Sequence, residues 1–151
     1  MIDIALYQPD IPQNLGAMIR LCACMDAGLH IIEPCSFPLN EKKIRSSAMD
    51  YMDKLQLQRH SSWDVFNTAR SKRRVVLMTT KGATPYYDFT FQADDILLAG
   101  SESAGVPEHI HECVDERIII PMAANLRSLN IVNASAMILG EALCQTRWRE
   151  R

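Results

Sequence analysis

A lone arginine in an apolar stretch is the first residue whose type and position favour chemistry. Arg20 is the only charged residue between Asp10 and Asp26. The residues one helical turn to either side of it are all small: Gly16, Ala17, Ala23 and Cys24. Small neighbours leave room for another group to approach the guanidinium, which binds phosphates and carboxylates through charge-assisted hydrogen bonds. A structural ion pair in the core or at an interface would explain Arg20 equally well, and the residues alone leave both interpretations open.

The segment 97–107 runs from a strongly apolar strand pattern through a loop of small residues to a helix that begins at Pro107. Gly100 and Gly105 lack side chains, so backbone groups there can approach a ligand closely. Glu102 adds a carboxylate to the same loop. Because parallel α/β sheets bind ligands at the carboxyl ends of their strands, the pattern favours a ligand loop. The alternative is a tight strand-to-helix connection with Glu102 exposed.

A second polar loop follows the apolar strand pattern at 118–121. It carries four polar or charged side chains: Arg127, Ser128, Asn130 and Asn133. Capping of the next helix by Ser128 or Asn130 explains one of them, but less easily all four. That helix has small residues at 134, 136 and 140, so its backbone can pack closely against a partner.

Several common kinds of site are absent from the sequence. The chain has no G-x-G-x-x-G dinucleotide motif, no phosphate-binding P-loop and no G-x-S-x-G of hydrolases. Its five cysteines lack metal-ligand spacing, so we expect no metal site, and we assign no catalytic role to its four histidines. With a net charge of −2, nucleic acid would bind local basic clusters or a dimer that pools them. We see neither an apolar run of the roughly 20 residues that cross a bilayer nor a secretory signal, which predicts a cytoplasmic protein without membrane contact.

Strand and helix patterns alternate along the whole chain. Apolar or alternating runs predict strands at 2–7, 29–33, 55–59, 75–79, 96–100 and 118–121. A loop is predicted at 9–13, followed by a helix with Asn14 as its N-cap and Gly28 as its stop. Further helices are predicted at 41–53, after an S-x-x-D capping signal at Ser61, at 107–114 and at 131–148. The alternation indicates one α/β domain over residues 1–151 with a mainly parallel sheet.

The three polar segments, in this order, resemble the motifs of the SPOUT superfamily of RNA methyltransferases. The chain is most similar to the small tRNA (cytidine/uridine-2′-O)-methyltransferases that act at the wobble position. The resemblance covers nearly the whole chain, and its other parts lie at 5–9, 30–34, 50–51 and 79–82. It departs from the family's pattern at Ser101, where proline is frequent, at Val132, where serine is frequent, and at Gly140, where an aromatic residue is common.

The resemblance implies a fold, a cofactor and an oligomeric state. The family's C-terminal segment forms a deep trefoil knot that holds S-adenosyl-L-methionine, and the family works as a homodimer with its last helix at the interface and without a metal. The residues that match cofactor contacts are Met78, Thr79, Gly100, Glu102, Ile120, Met122, Ser128 and Asn133. The two methionines would be walls for the adenine ring.

The resemblance also implies that Arg20 is the catalytic residue. A guanidinium stays protonated, with a pKa above about 12, so we prefer an electrostatic anchor for phosphate and the developing oxyanion to a general base. Residues predicted to bind the tRNA substrate are Asn14, Lys43, Arg45, Lys81, Arg127 and Asn130. Two alternatives stay open: a SPOUT methyltransferase for another RNA such as rRNA, and a non-catalytic RNA-binding factor with the same fold.

Overall fold

The computed structural model describes residues 1–48, 51–81 and 84–149. Within these ranges the chain forms a seven-stranded sheet in which all neighbouring strands are parallel. The strands are β1 Asp3–Tyr7, β2 Gly28–Ile32, β3 Leu57–His60, β4 Val75–Met78, β5 Thr84–Pro85, β6 Ile96–Ala99 and β7 Glu116–Ile119. Their spatial order is β3-β2-β1-β6-β4-β7-β5. The prediction of a mainly parallel α/β sheet is confirmed.

Five helices cover the two faces of this sheet in the described part of the chain. They are α1 Pro12–Met25, α2 Glu41–Ser47, α3 Trp63–Ala69, α4 Glu108–Cys113 and α5 Ile131–Leu143, and α5 continues as a π-helical turn, Cys144–Trp148. Short 3-10 turns occupy Met52–Lys54 and Tyr86–Asp88. No helix in the described residues is long and apolar enough to cross a membrane.

The central strands are apolar on both faces because each face packs against helices. On one face, Ile4 and Leu97 join a core cluster with residues of α1, α2 and α5. On the other face, Ala5 and Leu98 join a cluster with Phe66 and residues of α4. This three-layer packing explains the continuous apolar runs of the sequence.

The first helix differs from its prediction at both ends. It begins at Pro12, inside the stretch predicted as a loop. Proline fits the first turn of a helix, because N–H groups there make no hydrogen bond within the helix and the missing N–H costs nothing. Asn14 therefore lies inside α1 and is not its N-cap. The helix ends at Met25 with Asp26 in the left-handed conformation at φ 52°. Gly28 begins β2 instead, and its N–H donates to Asp3 Oδ1 at 3.1 Å.

Other boundaries also differ from their predictions. Helix α2 ends at Ser47, short of the predicted 53, while Met49 and Asp50 lie outside the described residues, as do Gly82 and Ala83. Ser62, not Ser61, caps α3 by accepting from the Val65 N–H at 3.2 Å. The two-residue strand β5 was not predicted, since so short a pairing leaves no periodic pattern.

A buried polar network joins β1, β2 and β3. His30 Nδ1 lies 2.9 Å from His60 Nε2, and His30 Nε2 lies 3.0 Å from Asp3 Oδ2. Arg73 forms an ion pair with the same carboxylate. Asp3, His30 and His60 are all buried, so this network satisfies polar groups that burial would otherwise leave without partners. Burial, followed by the neighbouring His30, lowers the pKa of His60.

Candidate active site

Four neighbouring strands end around one cavity of about 520 Å³. Its walls come from the loops that follow β1, β4, β6 and β7 and from the start of α5, and these four strands are consecutive in the sheet. The structure thus brings together the polar segments that the sequence placed after separate strands. Their meeting follows from the parallel sheet, whose carboxyl ends all lie at one edge.

The inner wall of the cavity is apolar. It is formed by side chains at the ends of β4 and β7, in the following loop and on α5: Met78, Ile118, Ile120, Met122 and Ile138. Ile118 and Ile138 are buried in the main core, so this wall is held rigidly by the packing behind it. A flat apolar group fits against such a surface, and polar groups at the rim can orient it.

The rim of the cavity carries a chain of hydrogen bonds that joins three loops. The Asn14 amide donates to Glu102 Oε1 at 3.3 Å, and the Asn130 amide donates to Asn14 Oδ1 at 3.1 Å. Asn130 is also the N-cap of α5, because its Oδ1 accepts from Val132 N at 2.9 Å and from Asn133 N at 3.3 Å. The position of Glu102 is therefore tied to the start of α1 and to the start of α5.

The loop after β6 closes on itself. Ser101 and Gly105 exchange two backbone hydrogen bonds of 3.0 and 2.9 Å, and Gly105 has a φ of 66°, which favours glycine. A Cβ on Gly100 would meet the Gly105 backbone at 2.6 Å. Gly100 is thus required by the loop's own packing, whereas the sequence suggested close approach of a ligand. The closed loop presents Glu102 at the cavity.

Asp10 and Glu102 form a pair of neighbouring carboxylates beside the rim. Burial raises the pKa of Glu102, and the adjacent Asp10 raises it further. The pKa of Asp10 is lowered by its contact with Glu102 and by hydrogen bonding from Ser103. As pH falls, Glu102 therefore takes up a proton before Asp10 does.

Most of the predicted cofactor residues line the cavity: Met78, Thr79, Gly100, Glu102, Ile120, Met122 and Ser128. Asn133 does not, since it is exposed on α5 and its backbone N–H is taken by the Asn130 cap. Among the predicted substrate residues, Asn14, Lys81, Arg127 and Asn130 also line the cavity.

Besides Asn133, three predicted residues lie outside the cavity lining. Lys43 borders a separate, smaller groove between α1 and α2. Arg45 forms exposed ion pairs with Glu41 at 3.4 Å and Asp53 at 3.7 Å. Arg20 is exposed on α1 and is not among the residues that line the cavity.

Two residues at or beside the cavity were not predicted from the sequence. Asp10 received no role, although it is the acidic residue that follows the first strand, and that position was the available signal. His111 was given no catalytic role, yet it lines the cavity with its Nε2 3.5 Å from the Thr79 hydroxyl. The residues around it in the sequence gave no reason to expect this, because the tertiary structure alone brings α4 to the end of β4.

Comparisons with known proteins identify relatives over nearly the whole chain. The model of the SpoU rRNA Methylase family matches residues 1–140. A tRNA (cytidine(34)-2′-O)-methyltransferase from Beijerinckia indica is 53% identical over 94% of this chain and 90% of the relative. The enzyme of the same name from Escherichia coli K12 is 36% identical over 99% of this chain and 94% of the relative.

Solved structures agree with these relatives. One described as giving structural insights into the 2-OH methylation of C/U34 on tRNA has a TM-score of 0.91 and 34% identity, covering 100% of this chain and 98% of that one. An AdoMet-bound rRNA methyltransferase from Sinorhizobium meliloti has a TM-score of 0.82 and 26% identity, covering 94% of this chain and 55% of that one. The resemblance noted in the sequence is thereby confirmed, and the chain belongs to the SpoU rRNA methylase family.

Proposed function

We propose that this protein is an S-adenosylmethionine-dependent tRNA 2′-O-methyltransferase that acts on cytidine or uridine 34, with residues 1–151 as one methyltransferase domain. The observation that carries the proposal is the cavity at the tips of β1, β6, β4 and β7, in a chain so similar to relatives named for this reaction. Polar loops and an apolar wall meet there, as a small-molecule site requires.

The cavity suits S-adenosylmethionine in size and in chemistry. A volume of about 520 Å³ lies within the range of small-molecule pockets. We assign the apolar wall with Met78 and Met122 to the adenine ring, and Glu102 to the cationic part of the cofactor, where a carboxylate is favourable. When bound, the cofactor supplies an electrophilic methyl group. The backbone and hydroxyl groups of Thr79, Gly100 and Ser128 are available to orient it.

The protein's own task in this reaction is to align a ribose hydroxyl and to stabilise the oxygen as it loses its proton. We assign Arg20 to the RNA phosphate and the developing oxyanion, because a guanidinium is a fixed cation with several donors. Since Arg20 does not line the cavity, this assignment requires that the bound RNA bring its phosphate and ribose to the exposed face of α1. Lys81 and Arg127 at the cavity add positive charge for the RNA backbone. Lys43 and Arg45 lie away from the cavity and would contact more distant phosphates.

A homodimer forms part of the proposal, with α5 at its interface. Met137 on α5 is 42% exposed, and small residues at 134, 136 and 140 leave its backbone accessible to close packing. Leu126 and Leu129, in the loop before α5, are 67% and 42% exposed, which makes a larger apolar surface beside the cavity. Burial of this surface between two copies would remove apolar area from water.

The proposed enzyme has a knotted C-terminal segment and uses no metal. The segment after β7 would thread as a trefoil knot, a proposal supported by its lining the same cavity as the loops after β4 and β6. We propose a metal-free reaction in the cytoplasm. Among the described residues no group of three or more metal-ligating side chains comes together.

Mapping of ribose methylation on tRNA with and without this gene tests the substrate assignment. Loss of the 2′-O-methyl group at nucleotide 34 in the deletion strain is expected. Loss from ribosomal RNA instead would favour the alternative that the name of the matching family model suggests. Calorimetry with S-adenosylmethionine should give one site per subunit, and the absence of binding would favour a non-catalytic RNA-binding factor.

A further inference from the structure

We propose that Asp10 is a positioning residue for methyl transfer, which holds the Glu102 carboxylate at the cavity by joining the loop after β1 to the loop after β6. This inference rests on the proposed function, in which Glu102 belongs to the cofactor site. Asp10 itself is not among the residues that line the cavity, so it acts through Glu102.

The two residues are bound to each other reciprocally. The Asp10 N–H donates to Glu102 Oε2 at 2.9 Å, and the Glu102 N–H donates to Asp10 Oδ1 at 3.2 Å. The Ser103 hydroxyl donates to the other Asp10 oxygen. The two residues are 92 positions apart and lie beyond the ends of paired strands, so this contact is additional to the sheet.

The contact leaves Glu102 little freedom. Asp10 holds its Oε2, and the Asn14 amide holds its Oε1 at 3.3 Å. A carboxylate that is hydrogen-bonded at both oxygens is held in one orientation. A binding site needs such a fixed orientation if the negative charge is to stabilise one particular group of the ligand. The N–H that holds Oε2 belongs to the Asp10 backbone and would remain after substitution. Loss of the Asp10 side chain would instead remove the acceptor of the Glu102 N–H and of the Ser103 hydroxyl, which together fix the loop that carries Glu102.

Asp10 also affects the pKa of Glu102. Burial raises the pKa of Glu102, and the neighbouring Asp10 carboxylate raises it further. Cys35 is a further titratable group that interacts with Glu102, and its thiol pKa is raised to about 11 by burial and by Glu33, with a smaller effect of Glu102. Cys35 is therefore neutral in the range where the carboxylates titrate, so we expect removal of the Asp10 charge to lower the pKa of Glu102.

The test compares two variants of the full chain in a steady-state methyl-transfer assay with tRNA. Asp10→Ala removes the carboxylate that accepts from Glu102 and Ser103, and kcat should fall about ten- to a hundredfold, the usual effect of hydrogen bonds to a charged group. The KM for tRNA should stay unchanged. Asp10→Asn keeps the shape but removes the charge, so the acid limb of its pH profile should move to lower pH. Asp64→Asn, at an exposed position on α3, is the matched control and should behave as wild type.

If the wild type is active and Asp10→Ala has the same kcat, the proposal is overturned. It is also overturned if the acid limb of the pH profile does not shift in Asp10→Asn. If Asp10→Ala does not fold, the pH profile of Asp10→Asn decides alone. A wild-type protein that neither binds S-adenosylmethionine nor transfers a methyl group overturns the proposed function itself, which separates the two failures.

Discussion

Replacement of Asn130 by alanine should destabilise the protein and weaken cofactor binding together. Its Oδ1 caps α5 through the N–H groups of Val132 and Asn133, and its amide donates to Asn14 at 3.1 Å. Loss of an N-cap costs about 1 kcal/mol, and loss of an exposed side-chain hydrogen bond adds up to about 1 kcal/mol. The free energy of unfolding should therefore fall by about 1–2 kcal/mol, which corresponds to a Tm about 2–8 °C lower for a domain of this size.

The effect on binding distinguishes a site residue from a helix cap. Asn130 lines the cavity and orders the rim, so the Kd for S-adenosylmethionine should rise about tenfold or more in calorimetry. Asn40→Ala is the matched control, because Asn40 caps α2 with hydrogen bonds of 2.9 and 3.4 Å and does not line the cavity. It should cost about 1 kcal/mol of stability and leave Kd unchanged. Equal Kd values for Asn130→Ala and wild type would refute the link between the α5 cap and the cavity.

Three further outcomes are expected. Because the pKa of His60 is lowered in the folded state, the unfolded chain binds the proton first, so stability should fall as pH drops below about 6.5. In urea unfolding, His60→Gln should flatten this dependence on pH, and an unchanged slope would contradict the assignment. Phe66→Ala, at a fully buried position, should lower the free energy of unfolding by about 3–5 kcal/mol in urea unfolding, and a loss under 1 kcal/mol would show that the core collapses into the space. Arg20→Ala should fold and bind S-adenosylmethionine as wild type does but reduce methyl transfer by about a hundredfold or more; Gln13→Ala, exposed on the same helix, is the control, and full activity of Arg20→Ala would refute its catalytic role.

The sequence was sufficient for the class of fold and for the position of the loops along the chain. Continuous apolar runs such as 96–99 mark strands covered on both faces, because burial of a strand requires apolar side chains at every position. Polar residues after such runs mark strand ends, which explains how Glu102 and Asn130 could be placed near a site. The resemblance then supplied the reaction, and the comparisons confirmed the family.

Local patterns were weaker at boundaries. Pro12 was predicted to lie in a loop because proline disfavours helix interiors, but the first turn of a helix tolerates it. Asn14 was predicted as a cap from its residue type, whereas its side chain is used for Glu102. The start of α1 and the role of Asn14 both depend on which hydrogen-bond partners the tertiary structure places near these residues.

What the sequence by itself determined is therefore what depends on neighbours in the chain: the alternation of strands and helices, and the polar residues at the strand ends. Only the tertiary structure decided that β6 lies between β1 and β4, that Asp10 meets Glu102 across 92 positions, and that Arg20 lies exposed on α1 outside the cavity lining. The physical reason is that such contacts are set by strand order and helix packing, which follow from the burial of the whole core and leave no periodic signal near the residues concerned.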